Sequence, residues 1–399
     1  MGNAATHEPL DLAAEWRDMQ RRLVVHLETG SKTDLADDVM QIEAKVYTDP
    51  LRFAAEREKI FREVPLLVGF SGELSSAGDR ILFDAAGTPV IVLRGSDGRL
   101  RAFLNLCTHR GAQLATSCER SKRLVCPFHG WSFDIDGELK SLPLAAAFEG
   151  LDKRELGLVP VPVAEWQGMV FVKARAGEEE IDVAEFLGSA APLFAALDLG
   201  SLRLVKTERV DVRSNWKFAL DTFCEIYHVP VVHKDSLSLN LYPNVAIFDA
   251  YGRHQRYSGA PRDFEGLLGK PESQWPQVNY QAVHFLFPNT TFAFTHSLDG
   301  KTPVVAMFRL FPGESPGEAI TLASTYGRGD AEGISDAQVA QMHAAVLEIV
   351  GVEDYGLARD SWPSLENAPP DFKFLFGRSE VLLQHYHRDL ADAIGMPLT

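Results

Sequence analysis

The chain has 399 residues, 46% hydrophobic and 24% charged, enough for a sizeable core in two or more domains under a polar surface. Its 39 Lys and Arg against 55 Asp and Glu give a net charge of −16, which argues against nucleic acid or an anionic membrane surface as a partner. Four cysteines are too few for a disulfide scaffold, and no run reaches bilayer-spanning length. The first thirty residues carry Glu8, Asp11, Glu15, Arg17, Asp18, Arg21 and Arg22 and hold no apolar signal-peptide core, so a cytoplasmic protein is expected.

In chain order, helical spacing predicts an N-terminal helix over 11–27, and Asp49-Pro50 opens a second over 49–62. From about Pro65 to Ala174 the texture turns to short β-rich runs broken by turn signals such as Ser96-Asp97-Gly98 and Asp136-Gly137, which reads as a small all-β domain. After the acidic patch Gly177–Glu180 the chain becomes α+β. Helices are expected at 181–197, 215–227, 336–349 and 374–394, and strands at 202–212, 244–250, 282–287, 290–296, 303–311 and 319–326. The expected division is a helical extension over 1–44, the β domain over 45–176 and the α+β domain over 177–399.

Within the β domain, Cys107-Thr108-His109 and Cys126-Pro127-Phe128-His129 form a C-x-H and a C-x2-H separated by sixteen residues. Two thiolates and two imidazoles suit either tetrahedral zinc or a [2Fe–2S] centre in which Cys holds one iron and His the other. Zinc sites usually pair like with like in each loop. Here each loop mixes Cys and His, so each must bridge both irons, and the run with Gly130 and Trp131 closely resembles a Rieske signature. Cys118, inside the intervening loop, reads as a bystander thiol.

The second constellation lies in Asn215–His233. Two histidines five apart on one helix would point about 140° apart, but Pro230 is expected to end the helix just after His228 and free His233 to swing to the same metal. Two His with one carboxylate make the open-sided triad of Fe(II) oxygenases. Asn215-Trp216-Lys217, Asp221, Glu225, Tyr227-His228 and His233 resemble the mononuclear-iron segment of the Rieske non-heme iron aromatic ring-hydroxylating oxygenase family, alpha (terminal oxygenase) subunit.

That resemblance takes in both metal segments in family order, over about residues 45 to 390. It implies an α+β fold: an N-terminal all-β Rieske [2Fe–2S] domain, then a helix-grip (START-like) domain on a curved antiparallel sheet. It implies His228 and His233 as iron ligands and Glu225 as the carboxylate linking one subunit's cluster to its neighbour's iron. It places the third ligand at the start of a late helix, where Asp354 fits best, with Glu353 its rival and Asp360 nearby. Asp221 could steer the histidines or line the pocket, or simply be solvated.

Phe285, Phe287, Phe292 and Phe294 alternate as core strands do and could also line an apolar pocket. His284, His296, His385 and His387 read as structural, and Cys224 as ambiguous. The expected function is a terminal oxygenase that activates O2 at a mononuclear Fe(II), with electrons from a Rieske cluster, to hydroxylate or dihydroxylate a small aromatic substrate. No nucleotide or flavin motif is present, so NAD(P)H would act through a separate reductase, with or without a ferredoxin, on an α3 or α3β3 assembly. Glu rather than Asp at 225 is familiar in the branch that oxidises quaternary ammonium compounds. A monooxygenase or demethylase of O-methyl, N-methyl or quaternary ammonium substrates is therefore the alternative. A non-catalytic Rieske electron carrier and a zinc-stabilised binding protein are the readings of another class.

Overall fold

A computed structural model describes residues 10–30, 32–276, 279–296, 302–328, 335–369 and 371–399. The chain falls into two compact units, one of Arg57–Phe186 with Asp198–Arg203, the other of Met1–Glu56, Leu187–Leu197 and Leu204–Thr399. These units divide the chain differently from its texture, because residues 45–56 pack by their side chains against the second unit's helix Trp216–Asp221.

The first unit carries three small antiparallel sheets. Their strand orders are Leu66–Phe70, Met169–Val172, Val163–Trp166; Arg80–Phe83, Val90–Arg94, Leu100–Leu104; and Arg123–Val125, Ser132–Asp134, Leu139–Ser141. Ile91, Phe103, Leu124, Trp131 and Phe133 form its buried core together with Cys107 and Cys126. The two cysteine side chains are therefore packed among apolar groups, while Phe128, His129 and Gly130 beside them are exposed.

The second unit is built on a seven-stranded sheet in the order Arg203–Val212, Ala319–Gly327, Pro303–Pro312, Thr290–His296, Ala282–Leu286, His254–Pro261, Leu241–Tyr251. The last six run antiparallel, each to its neighbour. The helix Leu12–Glu28, capped by Asp11, buries Trp16, Met19, Leu23 and Leu27 and packs on the Leu241–Tyr251 edge. Strand His254–Pro261 falls in a stretch with no strand expected. Its side chains His254, Gln255, Arg256 and Ser258 are buried but polar, so the usual apolar alternation is missing.

Three helical expectations are corrected. The segment 181–197 holds two short helices, Val183–Leu187 and Ala191–Ala196, divided at Gly188, whose φ is +51°. The helix expected at 374–394 runs only over Val381–Ile394, because Lys373–Phe376 pairs as a strand with Met40–Glu43, a strand with no separate signal in the sequence. The helix expected at 215–227 ends at Asp221. No helix among the described residues is long and apolar enough to cross a membrane.

Candidate metal centres

Cys107 follows the strand Leu100–Leu104 and Cys126 follows Arg123–Val125, and the two loops are built alike. Gly111 N–H donates to Cys107 O at 2.8 Å and Gly130 N–H to Cys126 O at 3.0 Å. The cysteine amides donate onward, Cys107 to Ala112 O at 2.8 Å and Cys126 to Trp131 O at 2.7 Å. Gly111 and Gly130 hold φ of +74° and +71°, a left-handed conformation that a side chain would strain, so glycine closes each turn.

Both thiols are buried, and the rings of His109 and His129 lie 4.7 Å apart, with His109 stacked on Trp131 at 4.8 Å. Burial raises the Cys107 thiol above its ordinary value. Burial also opposes the Cys126 thiolate, but the amides of Phe128 and His129 outweigh it and hold that thiol below its ordinary value. Burial and the neighbouring His129 lower His109, favouring the neutral imidazole that binds metal. Cys118 is exposed and belongs to neither loop's turn.

In the second unit, the chain leaves the helix Trp216–Asp221, turns, and forms one further helical turn, Val229–Val232. Pro230 therefore does not terminate a long helix; it sits in the first turn of a short one, where its missing N–H costs nothing. His228 and His233 stand at the two ends of that turn, and their Nε2 atoms are 3.2 Å apart. Asp354 Oδ1 lies 3.4 Å from His228 Nε2 and 3.2 Å from His233 Nε2.

The carboxylate arrives on a π-helical turn, Val350–Asp354, between the helices Asp336–Ile349 and Tyr355–Glu366. Such a bulge widens the helix locally and is common at functional sites. Here it brings two successive acids to one imidazole. Glu353 Oε2 accepts from His233 Nδ1 at 2.5 Å and from Ser236 Oγ at 2.7 Å, while Asp354 faces Nε2 of the same ring. Glu225 does the same for His228, accepting from its Nδ1 through one oxygen and from its backbone N–H at 3.1 Å through the other.

A carboxylate can only accept, so each Nδ1 carries a proton and the neutral form of each ring turns a bare Nε2 toward the shared point. Asp354 is buried and its Oδ1 has no hydrogen-bond donor. A buried oxygen without a donor, opposite two bare imidazole nitrogens, fits a divalent cation held by two His and one carboxylate. Among the described residues this is the one group of three or more His, Cys, Asp or Glu whose ligand atoms all lie within 4.8 Å of one another. Cys107, His109, Cys126 and His129 supply two thiolates and two imidazoles, a donor set that fits a [2Fe–2S] centre held by Cys on one iron and His on the other.

The remaining acids divide cleanly. Asp360 is exposed beside Arg359. Asp221 does not reach either histidine of the triad; it accepts from Tyr47 Oη at 2.5 Å and from His387 Nε2 at 3.0 Å, so His387 is a structural partner. A cavity of about 190 Å³ bounded by Tyr47, Phe218, Phe374, Asp221, Glu225 and Glu380 touches His228 and Asp354. Phe285, Phe287, Phe292 and Phe294 are buried and none lines it; Phe292 stacks on buried His284. Sequence reasoning missed Ser236 and Tyr47, and treated Glu353 only as a rival ligand. The Glu353-Asp354 pair was the available signal, but which acid faces which nitrogen depends on the π turn.

Residues 64–162 match the family described as Rieske [2Fe-2S] domain, and residues 199–396 match Ring hydroxylating alpha subunit (catalytic domain). The chloroplastic choline monooxygenase of Spinacia oleracea is 32% identical over 248 residues, 61% of this chain and 55% of that protein. The carnitine monooxygenase oxygenase subunit of Escherichia coli (strain K12) is 32% identical over 206 residues, 50% of this chain and 55% of that protein. The chain thus spans just over half the length of the curated relatives it matches. A quaternary ammonium Rieske monooxygenase solved with L-carnitine superposes with a TM-score of 0.73 at 20% identity, covering 97% of this chain and 99% of that one. Naphthalene 1,2-dioxygenase from Rhodococcus sp. gives 0.69 at 17% identity over 96% and 99%. At these identities the structures speak for a shared fold.

Proposed function

Because this chain belongs to the Rieske ring-hydroxylating oxygenase family as an alpha subunit, with a cluster domain and an iron-bearing catalytic domain, we propose that it is a terminal monooxygenase acting on a small quaternary ammonium or N-methyl compound. The observation that carries this reading is the convergence of His228, His233 and Asp354 in a chain that also brings Cys107, His109, Cys126 and His129 together. In this reading the four Cys and His hold the [2Fe–2S] cluster, and the two His with Asp354 hold Fe(II). When bound, the cluster passes single electrons and the iron offers O2 a coordination position beside the substrate.

The overall reaction inserts one oxygen into a C–H bond and reduces the other to water: RH + O2 + 2e⁻ + 2H⁺ gives ROH + H2O. NAD(P)H is the electron source, through a reductase, with or without a ferredoxin. On an N-methyl group the product is an N–CH2OH species, which loses formaldehyde and leaves the demethylated amine.

The chain's own residues prepare this chemistry. Glu225 and Glu353 each accept from one imidazole's Nδ1, which turns its Nε2 toward the shared point where metal would bind. Glu225 also lines an open cavity, and on the cluster side His129 and its neighbour Phe128 are exposed. These features support electron entry from the cluster of another copy through Glu225 to His228, within a trimer, with or without β subunits. A quaternary ammonium Rieske monooxygenase of this fold is described as transferring electrons between subunits.

The expected aromatic substrate gives way to the alternative. Relatives at 31–32% identity are choline, carnitine and glycine betaine monooxygenases, whose named substrates share a trimethylammonium group. The test is a panel of choline, carnitine, γ-butyrobetaine and glycine betaine beside naphthalene, with a reductase and NADH, read by product mass and formaldehyde. One oxygen gained or one methyl lost on an ammonium compound supports the reading. Two oxygens gained on naphthalene, with the ammonium compounds untouched, would overturn it.

A further inference from the structure

We infer that Tyr47 and Glu56, on the segment before the cluster domain, are positioning residues for the mononuclear metal site: they clamp the helix Trp216–Asp221, from which the ligand-bearing segment departs. The inference rests on the reading of His228, His233 and Asp354 as metal ligands.

That helix has six residues. A helix so short cannot hold its own geometry, since nucleation costs more than its few hydrogen bonds return. Its direction must come from outside, and it is fastened at three heights. At its start, Asn215 caps Lys217 N through Oδ1 at 3.0 Å and donates through Nδ2 to Tyr47 O at 2.8 Å and Pro316 O at 2.9 Å. In its first turn, Lys217 Nζ donates to both oxygens of Glu56, at 2.5 and 2.6 Å, and Trp216 Nε1 donates to Glu56 Oε2 at 2.9 Å. At its end, Asp221 accepts from Tyr47 Oη and His387. Tyr47 and Glu56 thus meet the helix at its cap, its first turn and its end.

The clamp is buried. Glu56 is 0% exposed, Lys217 and Tyr47 1% each. Arg52 adds its guanidinium 3.4 Å from Glu56 and donates to Pro397 O at 2.7 Å, tying in the C-terminal residues. A fully desolvated ion pair is a poor stabiliser compared with apolar side chains of similar volume, and its best-attested use is to fix register. Register matters here, because four residues after Asp221 comes Glu225, and His228 follows through the short turns Phe223 N to Leu220 O and Cys224 N to Asp221 O. A rotation of the helix would move His228 away from Asp354, which belongs to a different segment.

The experiment is equilibrium dialysis of the full chain, cluster intact, against Fe(II). It compares the parent protein with Tyr47→Phe, which removes only the hydroxyl, and with Glu56→Gln/Lys217→Met, which removes the Glu56–Lys217 pair and leaves Arg52 its bond to Pro397 O. Visible circular dichroism reports the cluster and thermal melting reports the fold. The expected result is Fe(II) affinity about tenfold weaker in each variant, the size seen when support around metal ligands is cut, with the cluster spectrum unchanged. Affinity within twofold of the parent would overturn the inference. So would loss of cluster, melting temperature and Fe(II) together, which is the signature of a merely structural role. If the parent itself takes up no Fe(II) beyond its cluster, the ligand reading fails and this inference falls with it.

Discussion

The two candidate metal centres of this chain are built on opposite plans. The Cys107, His109, Cys126 and His129 set comes from two loops separated by sixteen residues, each closed by its own glycine and backed by the same small hairpins. The His228, His233 and Asp354 set draws on segments more than a hundred residues apart and relies on Glu225, Glu353 and a π turn to aim each ligand. A site made of self-contained loops needs only its local sequence. A site assembled across the fold needs every supporting contact, and it is there that single substitutions should have graded effects.

Breaking the first plan should be all or none. Cys126→Ser is expected to abolish the cluster's visible absorption while Fe(II) still binds at the triad, measured by iron and acid-labile sulfide content. Asp354→Ala should do the converse, weakening Fe(II) about 100-fold or more in dialysis while the cluster spectrum stays. Retention of parental Fe(II) affinity would show that Glu353 or another acid is the ligand.

Glu225→Gln separates the two centres without emptying either. Gln keeps an acceptor for His228 Nδ1, so both metals should remain while coupled product formation at saturating Fe(II) falls on the order of 100-fold. Parental turnover would dismiss Glu225 as the electron link. Glu353→Gln should be milder, raising the Fe(II) dissociation constant about tenfold with the cluster untouched.

The smallest step is in pH. Burial disfavours the His228 cation, but the carboxylates of Asp354 and Glu225 more than offset this and push it up to about 9 in the metal-free protein. The folded value lies above the unfolded one. The associated stability of the metal-free form is therefore complete below about pH 6.5 and lost as pH rises through about 9. Metal must displace that proton, so Fe(II) affinity should rise by up to about tenfold per pH unit below 9, with proton release measurable by calorimetry in buffers of different ionisation heat. A flat pH profile would mean that His228 is already neutral.

Much of this was readable in the amino-acid order, and for identifiable reasons. The mixed C-x-H and C-x2-H loops carry their chemistry in residue type and spacing, and the strand runs 282–287, 290–296 and 303–311 carry theirs in apolar content. Pro230 was legible as a boundary but not as to which side of it the helix would form, because proline both stops one helix and starts another. The strands Met40–Glu43 and Lys373–Phe376 are each too short to show a pattern and exist only as a pair.

The sequence by itself determined the two Cys-and-His loops, the order of the two domains and the pair of acids of which one meets His228 and His233. Tertiary structure alone decided that Asp354 faces the shared point while Glu353 grips His233, that Asp221 turns to Tyr47 and His387, and that residues 45–56 serve the catalytic unit. The physical reason is one of range. Residue chemistry and turn geometry are settled within a few positions, whereas the direction of a buried carboxylate is set by the backbone turn that carries it and the groups that distant segments bring against it.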